Sequence, residues 1–124
     1  MGYIYYNPNP TGKNTMGDCS IRALSKVLNL SWDETFDILV DNAKLRADMP
    51  NSNANIDEVL SDFGFHKETF TDCYKCHTVS EFAEEHPYGT YVLGSGDHVV
   101  AVINGNFFDS WRSDDTPIIY YWTK

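Results

Sequence analysis

The chain has 124 residues, of which 42% are hydrophobic and 15% aromatic. That is enough for one compact domain burying roughly two thirds of its unfolded surface, and no apolar run approaches the roughly 20 residues that span a bilayer. Eighteen acidic against nine basic side chains leave a net charge of −9, which repels phosphate backbones and anionic lipid, argues against nucleic-acid and membrane partners, and suits a basic one.

Taken from the start, MGYIYYNPNP carries no basic stretch followed by an apolar one, so a cytoplasmic setting is expected. Tyr3 to Tyr6 reads as an extra edge strand, followed by a loose Asn/Pro/Gly-rich segment over 7–17. Apolar residues at Ile21, Ala23, Leu24, Val27 and Leu28 predict a helix with Asp18 as N-cap, ending by Asn29, with Cys19 in its first turn. Three S/T/N-x-x-E patterns predict further helix starts by capping box, at Ser31 to Glu34, Asn55 to Glu58 and Thr78 to Glu81. The first of these continues in a stripe of Trp32, Phe36, Leu39, Val40 and Ala43. The second continues with Ile56, Val59, Leu60 and Phe63 before Gly64, and the third halts at His86-Pro87.

After Pro87 the hydrophobic period drops from about 3.6 to 2. Strands are expected at Thr90 to Leu93, Val99 to Ile103, Asn106 to Ser110 and Ile118 to Trp122. Helices first and strands afterwards predict a single α+β domain over 1–124. Its helical part, about 15–87, is expected on one side of a small antiparallel sheet, about 88–124.

Asn104-Gly105 between two strand-like runs predicts a type I′ hairpin, because that turn needs positive φ at both central residues. Setting Ile103 opposite Asn106 carries the register on to Val100 opposite Asp109 and His98 opposite Trp111. Period-2 alternation then projects His98, Val100, Asp109 and Trp111 from one face, with His98 and Asp109 as diagonal neighbours. A carboxylate accepting from imidazole Nδ1 would fix the ring's tautomer and raise its basicity, as a general base requires. The plainer alternative is a His and an Asp on a wet edge.

Cys19 is the natural third member, since thiols at helix N-termini have depressed pKa values. Asp18 opposes this by its charge, so the His98 imidazolium is expected to supply most of the thiolate stabilisation. The alternative is a small hydrophobe on the helix's buried stripe.

These residues resemble the papain-like cysteine peptidase superfamily, in which a helix-initial Cys is followed by a strand-borne His and then an Asn or Asp. Asp97-His98-Val99-Val100-Ala101-Val102 is similar to that family's D-H-A-V-A run. Asp109-Ser110-Trp111 is similar to its N-S-W element, with Asp for Asn. The Cys-to-His spacing and the Asp18-Cys19 pair look closest to compact bacteriocin-processing peptidase domains, and the likeness spans residues 13 to 111.

The resemblance implies Cys19 as nucleophile, His98 as general base and then acid, Asp109 as orienting carboxylate and Trp111 as the indole shielding the His–Asp bond. The family's oxyanion Gln would fall at Lys13, and the chain has no glutamine at all. Asn14, or Lys13 itself, is the expected substitute, with the Cys19 N–H as second donor. The implied fold is papain-like. The implied activity is a thiol hydrolase or acyl transferase, first of all one cleaving a peptide or isopeptide amide, with no cofactor and no metal. The size suits a small phage or bacterial protein, acting in the host cytoplasm if phage-encoded. The alternative is a weak or inactive papain-fold binding or inhibitor protein that docks a basic protein partner.

Cys73-Tyr-Lys-Cys76-His77 has the form of a haem-attachment motif or half a zinc site. An export context and distal ligand are lacking for the one, and two further donors for the other, with only His66 and His86 nearby. Two free thiols in a linker are expected instead, a labile disulfide or adventitious metal being the alternative. His66 and His86 read as surface or turn residues. Glu81, Glu84 and Glu85 read as a solvated helix face. The tyrosines at 3, 5, 6, 120 and 121 read as alternating between core and solvent, or as lining a groove for an extended peptide.

Overall fold

A computed structural model describes residues 2–14, 16–71 and 76–124. The first helix, α1 (Cys19–Leu28), runs between Asp18 and Asn29 as the sequence predicts, and Asn29 closes it in the left-handed conformation with its N–H on the Ser25 carbonyl. In α2 (Trp32–Arg46) the capping box is complete: Ser31 Oγ accepts from the Glu34 N–H, and Glu34 Oε1 accepts from the Ser31 N–H. Leu39 and Ala43 are buried, while Phe36 stays exposed and stacks face to face on Trp32.

The third helix, α3 (Asn53–Asp62), starts earlier than its predicted capping box. Ser52 is the N-cap, its hydroxyl accepting from Asn55 N–H. Asn55 is fully buried instead. Its amide donates to the carbonyls of Leu39 and Pro50 and accepts from Asn42, so it ties α3 to α2. Ser and Asn at three-residue spacing both have capping chemistry, and burial of the amide decided between them. Phe63, expected in the stripe, is exposed, and the chain instead buries Phe65 after the turn at Gly64. The last helix, α4 (Val79–Glu85), is capped by Thr78 as predicted.

The sheet has six strands in the order β1-β5-β4-β3-β6-β2, formed by β1 (Gly2–Tyr5), β2 (His66–Thr69), β3 (Thr90–Gly94), β4 (Val99–Ile103), β5 (Asn106–Asp109) and β6 (Tyr120–Thr123). It is mixed rather than purely antiparallel, because β1 pairs in parallel with β5. The strand β2 escaped the sequence reading because His66-Lys-Glu-Thr69 is exposed throughout and has no apolar alternation. It is held by pairing with β6.

Alternation along the central strands sorts the core into two faces. Val92, Val99, Ala101 and Trp122 pack with Leu24, Leu39, Ile56 and Leu60 under α1 to α3. Leu93, Val100, Val102 and Phe107 pack with Val79, Phe82 and Ala83 of α4. The helices therefore cover both faces of the sheet, which corrects the one-sided arrangement expected from the chain order. Two apolar faces on the central strands require two covers, and α4 supplies the second. Among the described residues, four helices and a six-stranded sheet give an α+β composition.

Candidate functional site

The hairpin between β4 and β5 adopts the predicted register, Ile103↔Asn106 through Ala101↔Phe108, with Asn104 and Gly105 at φ 49° and 81°. The ladder ends there, and His98 and Asp109 meet beyond it. Val100 packs towards α4, on the other face from Val99 and Ala101. The His–Asp contact is thus made past the end of the ladder, not by four residues sharing a face along it. A tight turn sets the ring: Ser95 Oγ accepts from His98 N–H, Ser95 N–H donates to the His98 carbonyl, and Gly96 takes the left-handed φ of 105° that glycine tolerates.

His98 Nε2 lies 2.7 Å from Asp109 Oδ2. The carboxylate therefore engages Nε2 rather than the expected Nδ1, and Nδ1 is the nitrogen left for the thiol. Asp109 is 0% exposed and receives three further donors: Ser113 Oγ at 2.7 Å on Oδ2, and Ser110 N–H at 2.8 Å and Arg22 Nη2 at 2.9 Å on Oδ1. Burial works against ionisation of Asp109, but the hydrogen bonds from His98 and Ser113 and the charges of His98 and Arg22 outweigh it and hold the carboxyl below its ordinary value.

Cys19 heads α1, half-buried, and borders a recess together with His98 and Val99. Burial opposes the thiolate. Hydrogen bonds from His98 and Val99, with the charges of His98 and Arg22, reverse that and lower the thiol below its usual value. For His98 burial opposes the charged ring, yet the bonds to Asp109 and Cys19 and their charges push it up to about 9. Between the lowered thiol value and about 9, the favoured state is a thiolate beside an imidazolium.

Asp18, the N-cap of α1, has its own set of donors. Its side chain makes no cap hydrogen bond to α1. It turns away and accepts from Arg22 Nη1 at 2.9 Å, Trp32 Nε1 at 2.9 Å and Asn9 Nδ2 at 3.1 Å. Arg22, 5% exposed, thus bridges two buried carboxylates, Asp18 and Asp109. The sequence reading passed over it. The available signal was an Asp and an Arg at i,i+4 inside an otherwise apolar helix stripe.

A recess of about 210 Å³ opens beside the sulfur, lined by Cys19, Ser20, Asn51, Asn53, Asp97 and His98 among others. Neither predicted oxyanion donor borders it: the Asn14 amide donates to the Ser110 carbonyl at 2.7 Å, and Lys13 is exposed. Because Asp18 leaves the start of α1 without a side-chain cap, the first backbone N–H groups of that helix have no intrahelical partner. Trp111 is 45% exposed, its ring centroid 4.9 Å from that of His98. It also walls a broader hollow towards α4, lined by Ser80, Glu84, Arg112 and Asp114.

The remaining titratable residues lie elsewhere. Cys76 is disulfide-bonded rather than a free thiol, and Cys73 lies outside the described residues. His66 is exposed on β2, facing Glu68. His86 ends α4 as its C-cap, as the sequence predicts, and is half-buried, stacked on Phe82 with Nδ1 on the Phe82 carbonyl. Among the described residues no group of three or more His, Cys, Asp or Glu side chains is arranged to hold a metal ion.

Comparison with protein-family models, with curated proteins and with solved structures finds no match for this chain.

Proposed function

We propose that the chain is a papain-like thiol hydrolase that cleaves a peptide or isopeptide amide through Cys19, His98 and Asp109. The observation that carries this reading is the convergence of Cys19 and His98 on one recess, with the buried Asp109 carboxylate 2.7 Å from His98 Nε2. Spacing in the chain does not require three such groups to converge.

The Cys19 thiolate attacks the carbonyl carbon, forming a C–S bond and moving the π electrons onto oxygen, where the N–H groups at the start of α1 receive the negative charge. The tetrahedral species collapses, the C–N bond breaks, and the proton on His98 Nδ1 passes to the departing amine. Water then adds to the thioester as His98 removes its proton, the C–S bond breaks, and the acid product leaves with the ion pair restored. An amine in place of water would give acyl transfer by the same steps. Asp109 keeps Nε2 engaged throughout, so Nδ1 does the proton transfer. The net charge of −9 favours substrates with basic residues around the scissile bond.

The Asn14 side chain, engaged with Ser110, is the one observation that favours a binding protein on the same frame. Incubation with a pool of Lys- and Arg-rich peptides and with a peptide thioester separates the two. Hydrolysis, with an acyl mass trapped on Cys19 and lost in Cys19→Ala and His98→Ala, is the expected outcome. Tight binding of the peptides with no acylation of Cys19, or turnover that survives Cys19→Ala, contradicts the hydrolase.

A further inference from the structure

Arg22 lies three residues beyond Cys19 in α1, on the same side of the helix. Its guanidinium is buried, with one nitrogen on Asp18 and another on Asp109, each at 2.9 Å. A planar fork with donors on separate nitrogens can hold two carboxylates in a fixed relation, which an ammonium cannot do as well. The arrangement exceeds what burial of Arg22 alone needs. Asp18 already has Trp32 and Asn9 as donors, and Asp109 already has Ser110, Ser113 and His98.

We propose that Arg22 is a positioning residue for the His98–Asp109 pair, its guanidinium fixing Asp109 Oδ1 and compensating the carboxylate's charge so that His98 meets an oriented but balanced acceptor. This rests on the hydrolase reading of Cys19 and His98. Arg22 touches no reacting atom and acts through Asp109 and through its own charge, which also favours the Cys19 thiolate.

The charged and titratable groups around this centre come from four elements. On α1 they are Asp18 and Cys19; at the end of β5, Asp109; before β4, His98 and Asp97, which borders the recess beside the sulfur; and on β1, Tyr3, which feels the Asp109 charge. From α2 comes only the neutral indole of Trp32. With Arg22 removed, the carboxylates on either side of it are left uncompensated, and both the thiol and the ring shift upward.

The test is the pH profile of Cys19 carboxymethylation in the full chain, with the label located by peptide mapping and the fold checked by circular dichroism. Arg22→Gln raises the midpoint by about one unit, slowing labelling below it about tenfold. Arg22→Lys, which keeps the charge without the fork, raises it less. A purely structural role would lower thermal stability in both and leave both midpoints at the wild-type value. An unmoved midpoint in a folded Arg22→Gln protein overturns the proposal. Should Arg22→Gln fail to fold, Arg22→Lys decides alone: a raised midpoint supports the proposal and a wild-type one overturns it. A wild-type midpoint at the ordinary thiol value, indifferent to His98→Ala, overturns the hydrolase reading and this proposal together. A depressed wild-type midpoint that Arg22→Gln leaves in place overturns this proposal alone.

Discussion

His98 joins two groups of opposite demand, a thiol that it helps to ionise and a carboxylate that keeps it charged, and its pKa near 9 links this geometry to stability. The folded value lies above the ordinary imidazole value of 6.5, so the folded protein binds the proton more tightly than the unfolded chain does. The stabilisation from His98 is therefore complete below about 6.5 and is lost as pH rises through about 9. The stability difference between wild type and His98→Asn, measured by urea unfolding across this range, should fall with rising pH and level off above it; a difference that grows with pH contradicts the pairing. Asp109 has the opposite sign. Its lowered pKa gives stability that is present above the ordinary carboxylate value and lost as pH falls through the folded one. At this scale the sequence made Cys19, His98 and Asp109 visible, because helix start, turn and register are local properties. It could not assign the ring nitrogens, which depend on how His98 sits beyond the ladder, nor Arg22, whose second partner is 87 residues away.

Elements were legible where their signals are local and obscured where tertiary packing selects among equals. The capping box at Ser31, the Thr78 cap and the Asn104-Gly105 turn needed only their own neighbours. Ser52 and Asn55 competed for one role, and β2 depends wholly on finding β6. The pairing of β3 with β6 depends on another such non-local detail. Gly94 stands opposite Tyr120, and the tyrosine ring, only 7% exposed, lies so close that a Cβ at Gly94 would come within 2.1 Å of it. The ring has little room to yield, because it packs edge-on against Trp122 in the core. Gly94→Ala should therefore destabilise the fold by about 1–3 kcal/mol, the usual range for overpacking, read as a lowered denaturation midpoint. An unchanged midpoint would mean that the Tyr120 ring is free to move. The turn that positions His98 begins at the next residue, so the same substitution should also weaken the thiol's reactivity.

For the whole molecule, the sheet with covers on both faces brings α1 from the first half of the chain against the β4–β5 end from the second. Chain order conveyed the α+β composition, but not that α4 would cross to the far face, because apolar alternation does not say which element covers which side. The N-terminal strand β1 completes the assembly beside β5, and the N–H of Tyr6, the residue after it, donates to the Asp109 backbone carbonyl, so the backbone at the site's carboxylate is tied to the N-terminal segment. The account stands on a thiolate made stable by His98 in the resting protein, and its ultraviolet absorbance measures that state without substrate. Titrated in wild type and His98→Ala, with Cys19→Ser as the blank, the wild-type signal should already be present at pH values where an ordinary thiol is protonated, and should move to the ordinary thiol range when His98 is removed. A wild-type titration in the ordinary range, or one that His98→Ala leaves where it was, would contradict the account.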